Sequence, residues 1–314
     1  MNLPSLSDIR SAHARIKPYI HQTPVLTSQQ LNKIFESELF FKCENFQKVG
    51  AFKFRGATNA VLSLNDEEKQ RGVVTHSSGN HAAALSLAAR MNNVKAFIVM
   101  PETAPEVKKN AVKGYGAEIT FCKPTLQARE EAAQKIIDRT GAILVHPYDN
   151  FNVICGQGTA SIELLNTIPD LEIIIAPIGG GGLISGTSTS VKGINGKISV
   201  IGAEPLNASD ARDSFLTGRI VPSVNPITIA DGLLTSLSEL TFSIIRKNVD
   251  NIFTAREETI VECMLMVWER MKIVIEPSSA TVLAIVKENP EFFRHKRTGL
   301  IVSGGNVDFR RLPF

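Results

Sequence analysis

Seven short apolar runs recur along this chain, at residues 39–43, 96–100, 119–122, 143–146, 173–178, 200–203 and 300–303, each rich in aliphatic or aromatic side chains. Segments of helical spacing and good helix formers accompany them, at residues 80–91, 104–113, 126–139, 159–166 and 257–271. That alternation predicts an α/β protein with parallel sheets flanked by helices. Such sheets bind ligands beyond the carboxyl ends of their strands, so chemistry is expected in the loops that run from strand to helix.

At 314 residues, 43% hydrophobic and 21% charged, the chain exceeds the usual size of one compact domain and predicts two lobes. No repeat or Pro/Ser-rich linker marks the boundary. Ser5 and Asp8 form a capping-box pattern, which predicts a helix at the start of the chain. Lys plus Arg total 34 against 31 for Asp plus Glu, and neither sign gathers into a block, so no nucleic-acid partner is expected. No apolar run approaches the roughly 18 residues that span a membrane, and no signal-like leader opens the sequence, so the expectation is a soluble cytoplasmic protein. Cys43, Cys122, Cys155 and Cys263 are scattered and read as reduced core thiols rather than zinc ligands.

Gly179, Gly180, Gly181 and Gly182 follow the apolar run 173–178 and precede a predicted helix over 184–191. Four residues without Cβ let successive backbone amides converge on an anion, and the dipole of the next helix adds attraction, so the loop reads as a phosphate cradle. A dinucleotide site is the competing reading, because Glu204 ends the next strand where an acid would meet a ribose hydroxyl. Its fingerprint is incomplete: the third glycine position falls on Ile184 or Ser185.

Thr75, His76, Ser77, Ser78, Gly79, Asn80 and His81 form a dense polar cluster leading into an Ala-rich helical segment. A cap needs only one such residue, whereas this run could grip a substrate carboxylate at a helix N-terminus. Lys53 lies between Phe52 and Phe54. An apolar setting lowers a lysine pKa and makes the amine nucleophilic, although most lysines in such company extend their charged heads into water.

Together these motifs resemble the fold-type-II pyridoxal-phosphate enzymes, a tryptophan synthase β-like group, and in particular serine racemases and serine/threonine dehydratases. The resemblance runs through His21-Gln22-Thr23-Pro24, Lys53, Ser77-Ser78-Gly79-Asn80-His81, Gly156-Gln157-Gly158-Thr159, the tetraglycine loop, Glu276-Pro277 and Ser303-Gly304-Gly305-Asn306. It implies two parallel-sheet α/β domains, a discontinuous larger one (1–71 plus 150–314) that binds pyridoxal 5'-phosphate and a small mobile one (72–149). It also implies that Lys53 holds the cofactor as a Schiff base, that Gly179, Gly180, Gly181, Gly182 and Leu183 hold its phosphate, and that Phe52 and Asn80 touch the ring and its hydroxyl. Ser303 would face the pyridine nitrogen; a hydroxyl there, rather than a carboxylate, leaves the nitrogen largely unprotonated and weakens the ring as an electron sink.

By the same resemblance Ser77, Ser78, Asn80 and His81 bind the substrate carboxylate, and Lys53 and Ser78 are the two facing acid/base groups that racemisation needs. Loss of water from serine or threonine, giving a 2-oxo acid and ammonia, needs the lysine side alone. The balance between the two outcomes is fine, since a factor of ten is about 1.4 kcal/mol of relative barrier. The stretch 202–210 resembles the divalent-cation site of serine racemases, with Glu204, the Ala208 carbonyl and Asp210 offering the hard oxygens that suit Mg²⁺ or Ca²⁺.

The chain also departs from the racemase pattern. Thr235 stands where a substrate-side serine is expected and Tyr148 where racemases carry Asn, and Tyr148-Asp149 looks more like the dehydratases. Arg129 matches an arginine associated with a second substrate carboxylate, which keeps a threo-3-hydroxyaspartate substrate open. The family's nucleotide effector site, between the subunits of a homodimer, is matched at Lys48, Lys108, Tyr115 and Asn306 but not at Ala83, where glutamine is expected, so activation by ATP stays open too. The chain ends at Phe314, soon after Asn306, and no regulatory domain or isoleucine feedback is expected. A β-replacement synthase of the cysteine-synthase kind is the rival on the same fold; the Ser77-Ser78-Gly79-Asn80-His81 loop and the cation-site pattern stand against it.

Overall fold

The computed structural model describes residues 2–77, 79–104, 106–310 and 312–314. Its strands, in chain order, are β1 (Val25–Leu26), β2 (Glu38–Cys43), β3 (Val73–His76), β4 (Ala96–Pro101), β5 (Glu118–Cys122), β6 (Ile143–Leu144), β7 (Ile173–Pro177), β8 (Ser199–Pro205), β9 (Asn251–Ala255) and β10 (Arg297–Val302). They build two sheets, a six-stranded one in the order β1-β2-β10-β7-β8-β9 and a four-stranded one in the order β5-β4-β3-β6. All pairings are parallel except that of β1 with β2.

The unbroken apolar runs are explained by cover on both faces. Along β7, Ile173 and Ile175 enter a core shared with the helices Glu257–Met271 and Pro277–Glu288, whereas Ile174 and Ala176 enter a second core with Leu183, Ile184 and Val191. β10 divides in the same way, Leu300 and Val302 to one side and Ile301 to the other. In the smaller sheet, Ile98 and Met100 face one core and Phe97 and Val99 the opposite one. A strand whose two faces are both buried has no polar alternation to show, and each such side chain contributes about 1.5–3 kcal/mol of burial.

The predicted helix at the start is present as Leu6–Ile16, and its capping box is formed: Ser5 N–H donates to Asp8 Oδ2 at 2.9 Å and Asp8 N–H to Ser5 Oγ at 3.3 Å. The apolar runs do not reveal β1, β3 or β9, nor does the periodicity reveal the helices Lys53–Leu62, Phe151–Gln157 and Pro277–Glu288. β6 is also shorter than the run 143–146 suggests.

For Lys53–Leu62 the reason is tertiary. Gly56 and several β-branched or Asn residues make it a poor helix in isolation. A Cβ on Gly56 would lie 2.4 Å from Gln157 Nε2, and one on Gly156 would lie 2.6 Å from the Gly56 Cα. Two glycines thus let Lys53–Leu62 and Phe151–Gln157 pack backbone to backbone, and packing overrides propensity. The start of Lys53–Leu62 is wedged between the sheets, Phe54 in the core of the smaller one and Phe52 against a core of the larger.

Arg55 anchors that wedge. It is fully buried and donates to Glu44 Oε2 (2.7 Å) and Oε1 (2.8 Å), Glu163 Oε1 (2.8 Å) and Oε2 (2.7 Å), and Thr159 Oγ1 (3.1 Å). Lys42 Nζ adds a bond to Glu163 Oε2 at 2.6 Å, so two buried cations balance two buried carboxylates. Although burial pushes Glu163 up, the bonds and charges of Arg55 and Lys42 hold it below the usual carboxylate range.

Candidate active site

The chemistry gathers at the carboxyl ends of both sheets. β7 runs into the glycine loop, and the helix Gly182–Ile194 follows at once. Gly181 has φ +87°, and a Cβ there would lie 2.9 Å from both Leu237 Cδ2 and Thr241 Cβ, so both conformation and space demand glycine. No side chain caps this helix, which leaves its first amides free to bind an anion. Leu183 is buried in the core, so its contribution to such a site is its backbone N–H. A Cβ on Gly180 would meet the Tyr148 ring at 2.3 Å and one on Gly182 the Tyr148 Cβ at 2.9 Å: Tyr148 lies across the loop. A Cβ on Gly179 would lie 3.5 Å from Thr235 Oγ1, so Thr235 borders the same loop.

Lys53 is the first residue of its helix. Its Nζ donates to Pro147 O at 2.9 Å and stands 5.1 Å from the centre of the Phe52 ring. Removal from water pushes its pKa down to about 8, against the opposing charge of Glu276. Pro147 and Tyr148 are neighbours, so one short segment touches both the amine and the glycine loop. An amine that loses its proton near neutral pH beside a cradle of bare amides fits an aldehyde-bearing phosphate.

The segment before Lys53 is zipped to the end of the chain: Phe52 N–H donates to Ser303 O at 2.9 Å and Gly305 N–H to Gly50 O at 2.9 Å. Ser303 follows β10, is buried, and has its Oγ 3.0 Å from Ser279 Oγ. Ser279 itself donates to Gly304 O at 2.7 Å and accepts from Gly304 N–H at 2.7 Å, which fixes the backbone that presents Ser303.

Ser77 leaves β3 with its N–H on Val99 O at 3.1 Å, and its Oγ accepts from Gly79 N–H at 3.3 Å. Asn80 opens the helix Asn80–Met91 and donates from Nδ2 to both carboxylate oxygens of Glu276. His81 is buried with Nε2 3.0 Å from Val145 O, and burial, then the charge of Lys53, push it down to about 3. A neutral ring that donates from Nε2 leaves a lone pair on Nδ1, so His81 would meet a carboxylate through its backbone N–H, not its imidazole. Arg129 donates from Nε to Thr125 O at 3.4 Å on the helix Leu126–Thr140 and lies within electrostatic reach of His76. Ser78 lies outside the described residues.

Glu204 is the penultimate residue of β8, and its two oxygens accept the N–H groups of Ala211 (3.0 Å) and Arg212 (2.8 Å). Burial pushes Glu204 well above its usual range and Asp210 up to about 6, and Asp210 Oδ2 is buried without a partner. Among the described residues no group of three or more His, Cys, Asp or Glu side chains is gathered as a metal site.

Three neighbours of the amine escaped the sequence reading. His146 accepts the Asp149 N–H at 2.9 Å on Nδ1 and stacks edge-on with both His76 and Tyr148 (5.5 and 4.6 Å between ring centres). Glu276 is buried against Asn80, Asn306 and Gly304. The Pro147 carbonyl holds the amine. Only the Glu276-Pro277 pair carried a signal, as a matched motif without a role.

The pattern of a family described as pyridoxal-phosphate dependent enzyme matches residues 16–304. The chain is 52% identical over 308 residues to serine racemase of Dictyostelium discoideum, covering 97% of this chain and 95% of that one. The crystal structure of that racemase superposes with a TM-score of 0.94, covering 97% of this chain and 99% of that one. A beta-hydroxyaspartate dehydratase of Paracoccus denitrificans is 48% identical over 314 residues, all of both chains. The crystal structure of a threonine deaminase from T.th. superposes with a TM-score of 0.93 at 43% identity, over 98% of this chain and 99% of that one. With such matches along nearly its whole length, in sequence and in fold, this chain belongs to the fold-type-II family of pyridoxal-phosphate dependent enzymes.

Proposed function

We propose that this enzyme acts on 3-hydroxy amino acids, racemising serine and/or removing water from L-serine or L-threonine to give a 2-oxo acid and ammonia. The carrying observation is Lys53: a lysine amine with its pKa lowered to about 8, held on the carbonyl of Pro147, whose neighbour Tyr148 crosses the glycine loop. The similarity to serine racemases supports the substrate class. Gly179, Gly180, Gly181, Gly182 and Leu183 would hold the cofactor phosphate, Phe52 and Asn80 the ring and its hydroxyl, and Ser303 the ring nitrogen. Pyridoxal phosphate supplies, when bound, a conjugated ring that withdraws electrons from the substrate Cα.

The chain's own residues then divide the work. The amides at the start of helix Asn80–Met91, with Ser77, hold the substrate carboxylate and so fix which Cα bond points at Lys53. Neutral Lys53 Nζ takes the Cα proton, and its protonated form returns it. Ser78 acts from the opposite side in racemisation. Elimination needs no second base, and Thr235, beside the glycine loop, contacts the substrate end that carries the hydroxyl.

A second reading, a threo-3-hydroxyaspartate substrate, is favoured by Arg129. Its guanidinium has one long bond to Thr125 O and stands within electrostatic reach of His76, next to Ser77. The relative from Paracoccus denitrificans is named for a hydroxyaspartate dehydratase activity, and one from Saccharomyces cerevisiae, 45% identical over 312 residues, for L-threo-3-hydroxyaspartate ammonia-lyase. Incubation with L-serine, D-serine, L-threonine and L-threo-3-hydroxyaspartate, following enantiomers and keto acid, separates the readings. Turnover of none of them contradicts both.

We further propose that residues 1–71 plus 150–314 and residues 72–149 act as a larger and a smaller, mobile domain, supported by the two separate sheets. Glu204, the Ala208 carbonyl and Asp210 are proposed to hold Mg²⁺ or Ca²⁺, supported by the unpartnered Asp210 Oδ2 and the cost of two buried acids without a cation. A cytoplasmic homodimer, with ATP as an effector, completes the proposal. Its four cysteines are free, and among the described residues no helix is long and apolar enough to cross a membrane.

A further inference from the structure

Glu276 precedes the helix Pro277–Glu288, yet its side chain does not cap it and is only 4% exposed. The carboxylate faces inward instead. Asn80 Nδ2 donates to Oε1 at 3.1 Å and to Oε2 at 3.2 Å, and Asn306 N–H donates to Oε2 at 3.0 Å. Asn306 Nδ2 donates in turn to Asn80 Oδ1 at 2.9 Å and to Val49 O at 2.7 Å. Both ends of the Asn80 amide are therefore gripped from outside the four-stranded unit to which its helix belongs. Turning that amide over would set its oxygen against the carboxylate.

We propose that Glu276 is a positioning residue: its carboxylate fixes the Asn80 amide, and with it the first turn of helix Asn80–Met91, in register with Lys53. The inference rests on the pyridoxal-phosphate reading of the site. The connection to Lys53 is through the backbone. Residues 50–52 are bonded to 303–305, with Ala51 bridging Gly304, and a Cβ on Gly304 would lie 2.9 and 3.0 Å from the two Glu276 oxygens. The carboxylate thus lies flat on the bare backbone of the ladder that leads into Lys53.

The charged groups facing Glu276 are Asp231, Lys108 and Lys53. Burial first, then Asp231, push Glu276 up to about 7, while the bonds from Asn80 and Asn306 and the charge of Lys108 oppose that rise. Lys108 is itself paired with Asp231 at 2.8 Å. Glu276 in turn favours the proton on Lys53. As pH falls through about 7 the carboxylate is neutralised, and two donors lose a charged acceptor.

Glu276→Gln removes the charge at constant size. In the pyridoxal-phosphate-loaded wild type, the visible spectrum and the KM for L-serine should both pass through a transition near pH 7, and the variant should lack it. Above that transition, KM in Glu276→Gln should rise roughly tenfold while kcat changes less, as for loss of bonds to a charged group. In an Asn80→Ala background the same substitution should leave KM roughly unchanged, because the effect passes through that amide. A wild-type transition in Glu276→Gln, or full additivity with Asn80→Ala, overturns the proposal. Should Glu276→Gln fail to fold, Gly304→Ala presses a methyl on the same carboxylate and should shift the transition and raise KM alike; unaltered values overturn it. Wild-type protein with neither a visible band nor serine turnover would instead sink the pyridoxal-phosphate reading, a result distinct from a Glu276→Gln enzyme that behaves as wild type.

Discussion

Replacing Arg55 by Met exchanges a buried guanidinium for an apolar side chain of similar reach and leaves two carboxylates with one cation. Glu44 would retain the Thr23 Oγ1–H bond of 2.6 Å, and Glu163 the Lys42 bond of 2.6 Å. Removing one partner of a buried ion pair costs about 3–5 kcal/mol, because the remaining charge is stranded rather than because the pair itself is strong. Glu44 keeps a neutral donor alone and no exposure to water, which places the expected loss in the upper part of that range. A protein of ordinary stability has about 5–15 kcal/mol in all, so the variant should fold but unfold at much lower urea.

The pH dependence supplies an internal check. In the wild type Glu163 lies below its usual pKa, so its stabilisation is present above the unfolded value and is lost as pH falls through the folded one. Without Arg55, burial of Glu163 is opposed by Lys42 alone, so its folded pKa moves up, and a carboxylate carried above its unfolded value costs the variant stability as pH rises. The wild-type contribution is nearly complete by about pH 5, just above the ordinary Glu value of 4.5, so growth of the Arg55→Met penalty from about pH 5 to about pH 8 comes from the stranded carboxylate alone. Urea unfolding at the two values, followed by circular dichroism, measures it. A penalty under about 1 kcal/mol, or one independent of pH, would refute the reasoning.

Other outcomes follow from single residues. Gly181→Ala forces an L side chain into a positive φ against Leu237 and Thr241, and should weaken pyridoxal-phosphate retention at least about tenfold, read by dialysis and absorbance. Uptake of pyridoxal phosphate by cofactor-free protein should accelerate as pH rises through about 8, since only the neutral Lys53 amine attacks; a limb near the ordinary lysine value of 10.5 would contradict the burial effect. Mg²⁺ or Ca²⁺ should raise the unfolding temperature of the wild type and not of Asp210→Asn, whereas equal shifts would remove Asp210 from the cation site. Ser78→Ala should abolish racemisation of serine while sparing elimination from L-substrates, and equal racemisation would overturn the assignment of Ser78.

The fold was legible where physics is local. Strands buried on both faces announced themselves as apolar runs, and Ser5 with Asp8 announced the first cap. The helix that carries Lys53 did not, because Gly56 there serves a close approach to Gly156 that no local preference encodes. The glycine loop could be read as a phosphate cradle because Gly181 answers a backbone demand. Glu276 and Arg55 could not be read: whether an acid or an arginine is solvated or buried depends on partners 196 and 108 residues away in the chain. Lys53 was ambiguous for the same reason, since a lysine between two phenylalanines reveals neither its enclosure nor Pro147 as its partner.

The central claim is that Lys53 is the residue that binds pyridoxal phosphate covalently. Borohydride reduction of the purified, cofactor-loaded protein, followed by digestion and mass spectrometry, locates that bond. The account predicts a pyridoxyl group on Lys53 and none in Lys53→Ala. Labelling of another lysine, or of none, would contradict it.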